Sequence, residues 1–139
     1  MYKRQLQELT VAAHAKIMSL GEQLSSFILT KYFQLKGINL THLDSRKLIV
    51  ADDSGCDISI DYKATAERIQ ACVSDGLYLA SGYIASNRNG QTVLLGRGGS
   101  DYTAAIYANI LEAERLEIWS DVDGIHSSCL LYTSDAADD

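Results

Sequence analysis

The feature that most restricts the fold is a change of hydrophobic period across one glycine-rich turn. Thr92 to Leu95 reads as extended, Gly96-Arg97-Gly98-Gly99-Ser100-Asp101 interrupts it, and Tyr102, Ile106, Ile110 and Ala113 then recur at helical steps. A strand that runs through glycines into a helix is half of a β-α-β unit, and Leu116 to Trp119 reads as the short apolar strand that follows. Glycines at such a junction let the backbone approach a ligand with no Cβ in the way. The first amides of the helix point outward with a positive field, which suits an anion, and Arg97 adds a forked cation matched to carboxylate or phosphate. The same residues also allow a plain strand-to-helix turn in which Ser100 or Asp101 caps the helix. The turn has neither the Gly-Lys-Ser/Thr ending of a P-loop nor the spacing of a dinucleotide fingerprint.

The remaining sequence alternates in the same way. Leu6 to about Ser19 is rich in helix formers, and Gly21 marks a break. From Gln23 to Lys36, Leu24, Phe27, Ile28, Tyr32 and Leu35 form one apolar helical face, expected to be the buried one, and Gly37 suits the helix stop. Ile38 to Leu43 and Lys47 to Ala51 read as extended, and Asp52-Asp53-Ser54-Gly55 is turn chemistry. Tyr62, Ala66, Ile69 and Val73 mark a helix over about 62–73. Leu77 to Ala85 reads as a strand of the buried kind, with a hairpin at Asn89-Gly90 before Thr92. Together these segments predict an α/β fold, a three-layer αβα sandwich with a mainly parallel sheet.

Charge and composition narrow the function. A net charge of −6 argues against a general nucleic-acid binder, which needs clustered Lys and Arg. No run approaches the roughly 20 apolar residues of a membrane helix, and no signal-peptide pattern opens the chain. Cys56, Cys72 and Cys129 are scattered without a C-x-x-C pair, so they read as inert thiols of a reducing, cytoplasmic protein and not as a disulfide or zinc framework. His14, His42 and His126 accompany no nucleophile elbow. Trp119 is expected to pack between layers.

The two ends read differently from the middle. Cys129 to Asp139, CLLYTSDAADD, resembles a transposase-type sequencing adapter translated in one frame, and Met1 to Gln5, MYKRQ, resembles the other strand of that adapter. Residues 1–5 and 129–139 are therefore expected to be adapter-derived and to make few packed contacts, with residues 6–128 the natural part. Removing Lys3, Arg4, Asp135, Asp138 and Asp139 leaves the charge balance acidic.

The string LGRGGSDYTAA, followed after a helix by EIWSDVDGI, closely resembles the aspartokinase branch of the amino-acid kinase family. SLGEQLSS (Ser19 to Ser26), LDSRK (Leu43 to Lys47) and SGYIASNRNGQ (Ser81 to Gln91) extend the resemblance in the same order, so that it covers most of Ser19 to Ile125. It implies the amino-acid kinase fold, here incomplete, and ATP-dependent phosphorylation of the β-carboxylate of L-aspartate, with Mg²⁺ carried as the ATP complex. Residues 6–128 would then be a partial catalytic domain. By the family's pattern Arg97 holds the α-carboxylate of aspartate and Ser100 lines the same pocket. Asp101 is the acidic residue of the reaction centre, and Glu22 meets the substrate amino group. Gly98, Gly99, Ser120 and Asp121 fall at positions that contact ATP. Ser120 stands where Thr is usual. His126 stands where a Tyr is frequent near the adenine, which puts that contact in doubt. The resemblance also places Asp44, Arg46 and Lys47 near the active-site side of the sheet, although by themselves they read as a surface charge cluster.

The resemblance carries further expectations. The family's Lys-Phe-Gly-Gly-Thr-Ser strand, whose lysine contacts the phosphates, does not occur in this sequence, so the fragment is expected to be inactive alone. The parent enzyme is expected to be cytoplasmic and homo-oligomeric, with aspartate and ATP as partners and no nucleic acid or membrane. It could stand alone or be fused to a homoserine dehydrogenase. Another amino-acid or nucleotide kinase of the same fold, or a non-catalytic ligand-binding remnant, remains open from these residues.

Overall fold

The computed structural model describes residues 10–52 and 58–119. Both adapter-like ends, the Ser54-Gly55 turn, Cys56, Ser120, Asp121 and His126 lie outside the described residues.

Helix α1 runs unbroken from Val11–Leu35, so the break expected at Gly21 does not occur. The Thr10 hydroxyl accepts from the Ala13 amide at 3.2 Å and starts the helix. At its other end Ile38 N donates to Phe33 O and Gly37 N to Gln34 O, both at 3.0 Å, which closes the last turn where Gly37 predicts a stop. After α1 come β1 (Leu40–Leu43), a single turn α2 (Ser45–Leu48), β2 (Val50–Asp52), β3 (Ser59–Ile60) and α3 (Tyr62–Cys72). Strands β4 (Leu77–Ala80), β5 (Ile84–Asn87) and β6 (Thr92–Leu94) follow, and then α4 (Gly99–Ile110). Asp44 and Asp61 cap α2 and α3 by accepting from the amides of Arg46 and Ala64.

Parallel pairing joins β1 to β4 in one sheet and β2 to β5 at the centre of a second, whose order is β3-β2-β5-β6. The outer pairs β2–β3 and β5–β6 are antiparallel. All four residues of β5 are buried, as in a strand covered on both faces. On one side Ile49, Ala51, Ala85 and Val93 pack with Ile69 of α3 and Ile106 of α4. Helix α1 lies across β6, β1 and β4.

Three sequence expectations change here. The Leu77–Ala85 segment is two strands, because Ser81-Gly82-Tyr83 turns the chain from the first sheet into the second. Leu116 to Trp119 forms no strand, and Trp119 is 90% exposed instead of lying between layers. The face of α1 is also inverted. Ala15, Ser19, Ser26 and Thr30 are buried, while Leu24, Phe27, Ile28, Tyr32 and Leu35 are exposed. Small side chains let the helix backbone approach the strands closely, and the large apolar stripe is left exposed.

Candidate functional site

Leu43 and Ala80 end the parallel strands β1 and β4 at the same level. Ligands of open α/β sheets collect beyond such carboxyl ends. Asp44-Ser45-Arg46 leaves one strand there and Ser81-Gly82-Tyr83 leaves the other. Ser45 and Ser81 are both buried. Ser45 N donates to the Ser81 hydroxyl at 3.2 Å, and the Ser45 hydroxyl donates to the Ser81 carbonyl. Because that uses Ser45's one hydroxyl hydrogen, Tyr107 OH donates to Ser45 Oγ across 3.1 Å. Burial raises the Tyr107 pKa, although its bond to Ser45 works the other way, and so the phenol keeps the proton it donates. Asp44 meets Arg46 in a two-pronged pair of 2.9 and 2.6 Å. Burial alone would raise the Asp44 pKa, but the hydrogen bonds and charge of Arg46 outweigh it and hold the carboxyl below its ordinary value.

The glycine-rich turn sits directly against Ser81–Tyr83. Gly98 has φ 70° and precedes α4 as its N-cap, with no side-chain cap hydrogen bond. The capping role open to Ser100 or Asp101 is therefore unused, and the helix starts one residue before Ser100. A Cβ on Gly82 would lie 2.9 Å from Ser100 Oγ, and one on Gly99 would lie 2.8 Å from the Tyr83 ring. Glycine is required at both positions by this contact. An open, mostly apolar cavity of about 500 Å³ adjoins the turn, with Leu43, Ala80, Gly82, Ser100, Thr103 and Tyr107 in its wall.

Of the residues singled out by sequence, Gly98, Gly99, Ser100 and Asp101 form this one turn. Arg97, Ser100 and Asp101 are exposed, and Arg97 and Asp101 form no ion pair among the described residues. Glu22 is half-buried midway along α1. Its carbonyl accepts from the hydroxyls of Ser25 and Ser26, and no hydrogen bond or ion pair joins its carboxylate to the turn. Sequence reasoning passed over Ser45, Ser81, Tyr83, Thr103 and Tyr107. The one available signal was Ser81-Gly82, a turn dipeptide inside an apparent strand.

The sequence pattern of the amino acid kinase family matches residues 2–129, and the chain belongs to that family. Within it, the relatives are aspartokinases. The chain is 40% identical over 117 residues to a bifunctional aspartokinase/homoserine dehydrogenase of Buchnera aphidicola, a match covering 82% of this chain and 14% of that protein. It is 33% identical over 141 residues to the lysine-sensitive aspartokinase 3 of Escherichia coli, covering 91% of this chain and 31% of the relative. The chain thus spans less than a third of these relatives' length. The crystal structure of E. coli aspartokinase III in complex with aspartate and ADP superposes with a TM-score of 0.79 at 33% identity, over 86% of this chain and 28% of that one. No helix among the described residues is long and apolar enough to cross a membrane.

Proposed function

We propose that this chain is the part of an aspartate kinase that binds aspartate and presents its β-carboxylate to the γ-phosphoryl group of ATP. The observation that carries the reading is the turn before α4, where Gly98 leaves the first amides of the helix without a side-chain cap and Arg97 beside them has no ion-pair partner among the described residues. That is a cationic turn suited to an anion. The complex of the E. coli relative with aspartate and ADP supplies the candidates.

In this reading Arg97 grips the α-carboxylate of aspartate, Ser100 hydrogen-bonds beside it, and Glu22 receives the amino group. The β-carboxylate, with an ordinary pKa of about 4, is already an anion at neutral pH and attacks without a general base. What the transfer requires is relief of repulsion between two anions and support for charge on the moving phosphoryl group. Gly98 and Gly99 bring backbone amides close to the phosphates, and Asp101 orients the cation and polar groups around them. Ser120, Asp121 and His126 belong to the nucleoside end of the ATP site. Mg²⁺ enters with ATP. The phosphates of ATP would supply ligands to it. The same reading has the parent enzyme in the cytoplasm as a homo-oligomer, without nucleic-acid or membrane partners. The test is hydroxylamine trapping of aspartyl phosphate, with ATP and aspartate, on the full-length enzyme that carries this chain. An acyl hydroxamate that forms only when both substrates are present supports the reading, and none from folded enzyme rejects it.

A further inference from the structure

Thr103 lies in the second turn of α4, is 3% exposed, and ends two hydrogen bonds that link separate parts of the site. Its hydroxyl donates to the Gly99 carbonyl at 2.7 Å and accepts from the Tyr83 amide at 3.1 Å. Tyr83 holds φ 67°, a conformation that costs a non-glycine residue energy and persists only where its surroundings enforce it. Those surroundings are complete. The Tyr83 carbonyl accepts from Leu95 N at 2.8 Å, the Gly82 carbonyl from Ile84 N at 2.8 Å, and the Ser81 amide donates to Leu43 O at 3.2 Å. Within this set, Thr103 supplies the one bond that runs from the strained turn into the helix carrying Ser100. A shift at Tyr83 cannot be absorbed locally, because Gly82 and Gly99 leave no spare room between the two turns.

We propose that Thr103 is a positioning residue for the aspartate-binding turn: its buried hydroxyl locks the Ser81–Tyr83 turn against Gly99 and so fixes where Ser100 and Arg97 stand. The proposal rests on the aspartate kinase reading for its ligand but not for its geometry. A carboxylate clamp displaced by a fraction of an ångström loses affinity for aspartate, while nucleoside contacts made away from this turn are retained.

The experiment uses the full-length enzyme that carries this chain, with Thr103→Val, Thr103→Ser and, as a control, Thr65→Val. Thr65 is equally buried and accepts from Val50 N at 3.0 Å, but it belongs to the α3–β2 contact, away from the turn. Thr103→Val is expected to raise the aspartate KM about tenfold or more, since it leaves the half-buried Tyr83 amide without an acceptor. It should raise the ATP KM less than the aspartate KM, because of the ATP contacts only those of Gly98 and Gly99 lie in this turn, and speed hydrogen exchange at the Tyr83 amide. Thr103→Ser keeps the hydroxyl and should behave as wild type. Thr65→Val should lower Tm without moving the aspartate KM. If Thr103→Val does not fold, Thr103→Ala removes the hydroxyl without adding bulk and is read in the same way. An aspartate KM unchanged in a folded variant lacking the hydroxyl, or equally raised by Thr103→Ser, overturns the proposal. If the wild-type enzyme forms no aspartyl phosphate, the functional reading fails by itself. The positioning role is then decided by exchange at Tyr83, and unaltered protection in the variant overturns it.

Discussion

Arg97 stands exposed at the outer end of the glycine-rich turn, and its charge has no partner among the described side chains. In the proposed reading that guanidinium meets the α-carboxylate of aspartate. In the full-length enzyme, Arg97→Ala should therefore raise the aspartate KM sharply and leave ATP affinity nearly intact, a loss of about 2–4 kcal/mol for a charge-assisted pair. Steady-state kinetics with each substrate varied in turn checks this, and unchanged aspartate saturation would remove Arg97 from the pocket. Gly98 to Asp101 were legible in the sequence because the glycines and the helical period after them are local signals. Thr103 and Ser45 were not, since their hydroxyls act on Tyr83, 20 residues away, and on Ser81, 36 residues away. Nothing in a run of Ser and Thr tells which hydroxyl will reach across a fold.

Among the elements, α1 shows best where pattern and packing part company. Its apolar stripe was legible, but a stripe identifies a face without saying what covers it, and here the small residues Ala15, Ser19, Ser26 and Thr30 meet the strands. Gly21 was read as a break because glycine is a poor helix former, yet the helix continues through it with no atom within 4 Å of where a Cβ would lie. Gly21→Ala should therefore stabilise the protein by about 0.5–1 kcal/mol, visible as a higher Tm. A lower Tm would mean that the glycine serves a close contact. The caps of α2 and α3 give a pH dependence. The Ala64 amide, followed by Arg88, lowers the pKa of Asp61, and Arg46 lowers that of Asp44 against the opposing effect of burial. A carboxyl whose folded pKa lies below its unfolded value stabilises above the unfolded value, and that contribution disappears as pH falls through the folded one. Thermal stability should thus decline as pH drops below about 4, the unfolded carboxylate range. Asp44→Asn and Asp61→Asn should each flatten that decline, as melting curves across the acid range would show.

Taken whole, the described residues form two sheets, β1–β4 and β3-β2-β5-β6, bridged by α1 and by the Ser81–Tyr83 turn. The glycine-rich turn belongs to the junction between them. In the E. coli structure that superposes on this chain, the matched region is 28% of that chain, so most of that molecule lies outside the match. The described residues around the turn offer Arg97 as a free cation, while Arg46 is engaged with Asp44 and Arg88 with Asp61. Transfer between ATP and a carboxylate brings two anions together, and with Arg97 assigned to the α-carboxylate no side-chain cation among the described residues has been assigned to the charge on the phosphates. The Lys-Phe-Gly-Gly-Thr-Ser string that would supply a lysine is absent from these 139 residues. The prediction is that the 139-residue chain alone shows no measurable aspartate phosphorylation, because loss of such a group from a phosphoryl-transfer site costs several orders of magnitude in rate. Its large exposed apolar face on α1, from Ile17 to Leu35, should also make the isolated chain self-associate. Hydroxamate trapping on the purified chain, beside a version extended with the lysine-bearing strand of a relative, separates the two causes. Activity restored by the extension at equal aggregation identifies the missing cation. Comparable turnover from both would show that the charge needed for transfer already resides within these residues and that Arg97 has a larger part in the chemistry than holding aspartate.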